Sequence, residues 1–464
     1  MSATERVLQR IEAEFPVHQA RWLDWLRIPS ISAQPAHAAD CRAAAEFACR
    51  ELAALGFTAS LRETDGQPVV LAHHAGPGAG ADVPHLLFYG HYDVQPPEPL
   101  ELWTSPPFAP VVIDGPHGKR VVARGAVDDK GQVSMWLGAL RAWVEETGGL
   151  PVRATVLIEG EEEIGSPNLD PFLLAHREEL RTDVVVISDT ATWNIDTPAL
   201  TTQLRGLVYL EVRLKAAMRD LHSGLFGGAA RNAVNVLTRA LAALHDDNGG
   251  IAIPDFYDGV AEPTPEQRAE WAALNYDEAD FLDRIGLRIP AGERGRDPLE
   301  RRWARPTCDI NGVWGGYAGP GAKTVIPAEA GAKVSFRLVP GQDADEIVAS
   351  FKQFMRAQVP EDVQLEIITL GAGRAIEVPR DSRFVRAARA ALAKEYGKPA
   401  VLIGSGASIP VVESFKRLLD LDSLLLGFGL DDDQTHSPNE KFELRCFRHG
   451  LRTHARLLGQ LGGA

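Results

Sequence analysis

Five clusters of acids and histidines stand out in this chain of 464 residues. They are His91-Tyr92-Asp93, Asp128-Asp129, Glu161-Glu162-Glu163, Asp189 and His436. Buried together without counter-charge, such groups would repel one another and cost several kcal/mol. A pair of divalent cations removes that penalty. Imidazole and carboxylate donors without thiolate suit zinc, with manganese and cobalt as alternatives. A two-metal site needs a bridging carboxylate and about two further ligands per ion. One bridge plus four ligands is available here. Such a site polarises a carbonyl and lowers the pKa of a bridging water toward ~7. A carboxylate beside that water, not itself a ligand, can shuttle the proton. The Glu162-Glu163 pair can supply one base and one ligand.

The surrounding pattern predicts where these residues sit. Short apolar runs at 85–90, 154–158, 184–187 and 423–427 read as buried strands. Helical spacing covers 3–28, 131–147 and 171–180, and strands alternating with helices imply a mostly parallel sheet in an α/β domain. Every cluster above follows, or lies just past, one of those strands or a strand-to-helix junction. In open α/β sheets that is the edge where ligands bind.

The pattern changes near Arg205-Gly206. Residues 207–214 alternate with period two, as do 333–338, so each reads as a half-exposed strand. Helices are predicted near 231–246 and 344–358, and a strand near 363–369. This is the outline of a small α+β domain. The stretch 253–305 is polar and rich in Pro and Glu, a surface excursion or a wall of the substrate pocket. After Gly371-Ala372-Gly373 the α/β pattern resumes, with helices near 382–396 and 441–459. The parse is a catalytic α/β domain (1–205 and 373–464) interrupted by an inserted α+β domain (206–372).

Composition excludes several classes. The chain has 48 Lys and Arg against 63 Asp and Glu, a net charge of −15, which disfavours nucleic-acid binding. Its 4 cysteines are too scattered for a disulfide framework or a Cys-rich zinc site. There is no basic leader followed by an apolar stretch and no run long enough to span a membrane, so a cytoplasmic protein with no membrane partner is expected.

In its motifs the sequence resembles the M20 family of metallopeptidases, in particular the carnosinase-like and PepV-like dipeptidases, with carboxypeptidase G2 as a relative. The resemblance rests on Gly90-His-Tyr-Asp-Val94, Gly125-Ala-Val-Asp-Asp-Lys-Gly131, Glu159-Gly-Glu-Glu-Glu-Ile-Gly-Ser166, Ile187-Ser-Asp189 and Thr435-His-Ser437. It implies that His91 and Asp189 bind one metal, Glu163 and His436 the other, and that Asp128 bridges both. It further implies a cis Asp128–Asp129 peptide bond. Glu162 becomes the general base, and Asp93 the partner that fixes the His91 tautomer.

The same resemblance makes the inserted domain a lid and dimerisation domain. Within Asp220-Leu-His-Ser-Gly224, His222 would reach into the partner subunit's active site and stabilise the oxyanion. Lys323-Thr-Val-Ile-Pro327, Phe336-Arg-Leu-Val-Pro340 and Gly406-Ala-Ser-Ile-Pro410 imply Thr324, Arg337 and Ser408 as substrate contacts. Arg337 would grip a carboxylate with its planar fork. Gly371-Ala372 departs from the pattern, because several dipeptidases carry a His there. The reading is a homodimeric hydrolase of dipeptides or short peptides. The alternative is an N-acyl-amino-acid amidohydrolase, deacylase or carbamoylase, on the same metal site. The remaining histidines read as ordinary structure.

Overall fold

The computed structural model describes residues 1–77 and 82–464. The chain divides into two compact units. The first comprises residues 1–202, 378–403 and 410–464, and the second residues 203–377 and 404–409. Six residues, 404–409, therefore group with the second unit although the chain around them belongs to the first. Ser408 lies among them.

The first unit is built on a mixed sheet. Its strands run in the order Thr58–Arg62, Val69–His74, Arg153–Glu159, His85–His91, Val184–Ile187, Ser423–Leu425 and Ala199–Leu204. The central strands are parallel: His85–His91 pairs in parallel with both Arg153–Glu159 and Val184–Ile187, and the latter with Ser423–Leu425. Their side chains are buried on both faces, which is why the sequence shows apolar runs and not alternation. The strands toward both edges are antiparallel. The strands at 58–62 and 69–74 were not anticipated.

Helix Lys130–Thr147 packs against Leu444–Leu461 and Ala3–Ala13. The predicted helix over 3–28 is two helices, Ala3–Ala13 and Phe15–Leu26. Pro16 explains the break, since it lacks an N–H to donate and fits only the first turn of a new helix. The helix predicted over 171–180 is shorter, Leu169–Ala175. No helix among the described residues is long and apolar enough to cross a membrane.

The second unit holds a four-stranded antiparallel sheet, ordered Thr307–Gly315, Glu329–Leu338, Gly206–Lys215 and Gln364–Gly373. Alternate residues Val208, Leu210, Val212, Val334 and Phe336 form one core face, covered by helices Ala233–Ala242 and Ala344–Gln358. The opposite face carries Glu211, Lys333, Ser335 and Arg337. The polar stretch 253–305 contains three short helices, Pro265–Ala272, Glu278–Arg284 and Pro298–Trp303. Each starts at a capping side chain, Thr264, Asp277 or Asp297, and two begin with proline.

Candidate metal centre

The first unit carries all five predicted metal ligands, four of them at or beyond the ends of its parallel strands and Asp128 in the turn before a helix. His91 is the last residue of its strand, and Gly90 just before it admits no side chain. A Cβ at Gly90 would lie 2.4 Å from Val133 Cγ2 and 2.7 Å from Asp129 Oδ2. Asp128 ends the turn before helix Lys130–Thr147, and the Asp128–Asp129 bond is cis, as the resemblance implied. Glu162 and Glu163 open a single 3₁₀ turn after Arg153–Glu159. Asp189 follows Val184–Ile187, and His436 lies in a loop with positive φ (61°).

Ligand atoms of His91, Asp128 and Glu163 lie within 4.8 Å of one another. Asp128 sits between two imidazoles. Its Oδ1 is 3.1 Å from His91 Nε2, and its Oδ2 is 2.8 Å from His436 Nε2. His436 Nε2 is also 3.2 Å from Glu163 Oε2. A carboxylate with one oxygen toward each imidazole has the disposition of a bridge.

The electrostatics match that geometry. Burial pushes Asp189 up to about 7, and the nearby Asp128 charge adds to it. Burial and the Asp189, Asp128 and Glu163 charges push Glu162 up to about 9, against the pull of His91. Glu163 is raised for the same reasons, burial first and then Asp128. Hydrogen bonds to Asp128 and Glu163 lift His436 to about 10 despite burial. Burial opposes a charge on His91, yet its bonds to Asp128 and Asp93 hold it well above its ordinary value. The cluster thus retains protons on imidazoles that must be neutral to ligate a metal. A donor set of nitrogens and carboxylate oxygens, with excess buried negative charge, fits divalent cations in place of those protons.

Asp93 does more than the sequence suggested. Fully buried, it lies 3.3 Å through Oδ1 from His91 Nδ1. Its carboxylate also accepts the backbone N–H groups of Glu162 (3.3 Å) and Glu163 (3.1 Å) and the Ser32 hydroxyl (2.6 Å). His91 Nδ1 is also 3.1 Å from the Asp93 backbone carbonyl, so Asp93 orients the imidazole through carbonyl and carboxylate, and its carboxylate holds the turn carrying two further acids.

Three supporting residues went unrecognised in the sequence. Gln95 Nε2 donates to Glu163 Oε2 at 2.8 Å and aims that carboxylate. Glu440, 0% exposed, accepts from Arg124 Nη1 (2.8 Å) and from the backbone N–H groups of Gly125 (2.9 Å), Val127 (2.9 Å) and Asp128 (3.1 Å). It clamps the turn that presents Asp128. Lys130, also 0% exposed, donates to the carbonyls of Trp25 (3.3 Å) and Ile28 (2.7 Å), and burial pushes it down to about 7. Close spacing to His436 was the available signal for Glu440; Gln95 carried none.

Three of the other histidines have clear structural partners. His454 is buried and shares a 3.1 Å hydrogen bond with Ser188 Oγ. His85 bonds the Thr155 hydroxyl at 2.8 Å. His73 does have an acid partner, Glu179, at 3.0 Å.

The remaining predicted residues lie in the second unit and form two groups. His222 pairs with Val325 in a two-stranded ribbon, and Ser223 N–H donates to the Thr324 carbonyl at 3.1 Å, so His222 and Thr324 are neighbours. His222 is exposed, with Nδ1 accepting from Gly224 N–H at 3.0 Å. Arg337 Nη1 donates to Ser408 Oγ at 2.8 Å, and that hydroxyl donates to the Arg205 carbonyl at 2.5 Å. Gly371 sits at a β-bulge, and a Cβ there would meet open space.

A mixed α/β scaffold bearing a buried imidazole–carboxylate cluster at its strand ends defines a metal-dependent hydrolase. Residues 87–460 match the model of peptidase family M20/M25/M40, and the chain belongs to that family as a metallopeptidase. It is 31% identical to a Cys-Gly metallodipeptidase of Schizosaccharomyces pombe over 96% of this chain and 95% of the relative. It is 30% identical to the human beta-Ala-His dipeptidase, over 84% of this chain and 78% of that protein. Among solved structures, the dipeptidase Dug1p of Saccharomyces cerevisiae superposes with a TM-score of 0.83 at 28% identity, covering 100% of both chains.

Proposed function

We propose that this metallopeptidase hydrolyses dipeptides that carry a free carboxylate, through two divalent cations, zinc in the first instance, held by His91, Asp128, Glu163, Asp189 and His436. The observation that carries the reading is Asp128, with one oxygen toward His91 and the other toward His436. The curated relatives act, by name, on Cys-Gly and on beta-Ala-His, both dipeptides. When bound, the cations supply Lewis acidity and an activated water.

The chain's own residues do the rest. Asp93 fixes His91 and the Glu162-Glu163 turn. Glu162 takes a proton from water at its carboxylate and returns it to the leaving amine. His222 of the partner subunit donates to the developing oxyanion, which makes the working form a homodimer. Arg337, steered by Ser408, grips the substrate carboxylate, and Thr324 is a further substrate contact. Small peptides are the partners, and the compartment is the cytoplasm.

The deciding experiment uses the metal-loaded protein on free dipeptides, the same dipeptides amidated at the C-terminus, and N-acyl amino acids, each with and without chelator. Cleavage of free dipeptides alone, abolished by chelator and restored by metal, is the expected result. Preferential cleavage of the N-acyl compounds would move the protein to the amidohydrolase class. In the same assay Arg337→Ala is expected to raise KM for free dipeptides by about 10–100-fold, the loss of charge-assisted hydrogen bonds. An unchanged KM would remove Arg337 from the carboxylate site.

A further inference from the structure

The second unit contains a cavity of about 570 Å³. One side is apolar, made by Phe281, Leu282, Ile285, Leu287 and Pro290 from the polar stretch 253–305. Arg205, Arg302, Thr307 and Asp309 also line the cavity. Its size is that of a small-molecule pocket, and its apolar side chains are interspersed with charged ones. Ile285 and Leu287 are 55% and 52% exposed, so apolar surface stands open to water on its rim.

The cavity's arginines are not equivalent. Arg301 is paired with Glu278 at 2.5 Å, and Arg305 with Glu293 at 2.9 Å. Arg302 lies over the rings of Phe281 (4.9 Å) and Tyr276 (5.5 Å), which fixes the aromatic wall. Arg205 donates through Nε to the Gly406 carbonyl at 3.0 Å, while its buried Nη1 has no hydrogen-bond partner among the described residues.

Two connections tie this cavity to Arg337. Thr307, on its wall, is the register partner of Arg337 in the antiparallel sheet. Directly opposed residues project to the same face, so Thr307 shares the face of Arg337, while Cys308, the next residue of this edge strand, borders the cavity from the core side. In addition, the Arg205 carbonyl accepts the Ser408 hydroxyl that itself accepts from Arg337. The carboxylate grip and the cavity wall are one hydrogen-bonded assembly.

We propose that this cavity is the specificity pocket for the side chain of the substrate residue bearing the free carboxylate, and that it selects a bulky apolar or aromatic one. The proposal rests on the dipeptidase reading above, with Arg337 as the carboxylate contact. The stretch 253–305 is then the segment that sets substrate choice. Glycine at that substrate position leaves the cavity unfilled, and phenylalanine or leucine fills it.

The test compares Ala-Phe, Ala-Leu and Ala-Gly as substrates of the metal-loaded, full-length protein. It also compares phenylalanine and glycine as ligands of the metal-free protein by calorimetry. Wild type is expected to favour Ala-Phe and Ala-Leu over Ala-Gly by about 10–100-fold in kcat/KM, and to bind phenylalanine at least about tenfold more tightly than glycine. Ile285→Asp, and separately Leu287→Asp, should each cut both ratios by about tenfold; both positions are exposed, so the fold tolerates them. Equal or inverted preference in wild type, or variants that keep both ratios, overturns the pocket while leaving dipeptidase activity standing. Absence of any dipeptide cleavage overturns the dipeptidase reading and this proposal with it. Selective phenylalanine binding alongside unselective cleavage overturns the assignment to the substrate.

Discussion

Glu162→Gln is expected to lower kcat on dipeptides by about 10²–10⁴-fold, the usual worth of a positioned general base. Glutamine keeps the shape of the side chain and cannot take up a proton. The turn should survive the change, because the Glu162 backbone N–H is held by Asp93 Oδ1 independently of the side chain. Metal content should stay near that of wild type. Glu163→Gln supplies the contrast: it removes a carboxylate that faces His436 at 3.2 Å, so metal content and activity should fall together. The pH profile offers a second readout. Burial and three neighbouring acids raise Glu162 in the cation-free cluster, and bound cations pull it back toward the working range. The acidic limb of the wild-type kcat profile then reports Glu162 and should be missing in the variant. Full activity in Glu162→Gln, or metal loss equal to that of Glu163→Gln, would sink the role.

The clustering of these acids and histidines was legible in the sequence because they obey a positional rule. His91, Glu163, Asp189 and His436 lie just past the carboxyl ends of short apolar runs, and a doubly buried parallel strand shows as such a run without alignment. Pairing direction was less legible. Strand Thr58–Arg62 has no buried residue and Val69–His74 ends in two part-exposed histidines, and nothing in their residues announces that they add antiparallel edges. The three helices within 253–305 bury few residues each, so their apolar periodicity is weak, although the caps at Thr264, Asp277 and Asp297 were visible. The supporting shell was least legible. Gln95 acts on Glu163 alone, and Glu440 on one guanidinium and three backbone N–H groups, contacts that impose no spacing on the sequence. Ser408 and Arg337, 71 residues apart, form one hydrogen bond through a loop whose neighbours on both sides belong to the other unit.

Glu440 yields the other large effect. Its carboxylate receives four donors and is wholly buried, and one of them is the guanidinium of Arg124, itself 1% exposed. Glu440→Ala leaves that cation buried without a counter-charge, a loss of about 3–5 kcal/mol. Three backbone N–H groups lose their acceptor as well. Such a variant should unfold far more readily in urea, and by itself it would say little about the metal centre. Glu440→Gln separates stability from positioning. The amide keeps one acceptor oxygen but turns an NH₂ group toward N–H donors, either toward Arg124 and Gly125 or toward Val127 and Asp128. The second orientation repels the turn that sets Asp128 between His91 and His436. A small shift there opens distances that now stand at 3.1 and 2.8 Å. Metal affinity of Glu440→Gln, measured by titration against a competing chelator under conditions where its melt shows it folded, should fall by about 10–100-fold, the range for partners behind metal ligands. Zinc affinity equal to wild type in a folded variant would reduce Glu440 to a structural residue. A fall in affinity without a matching loss of fold ties the buried Arg124–Glu440 pair to Asp128, 312 residues away in the chain from the acid that clamps it.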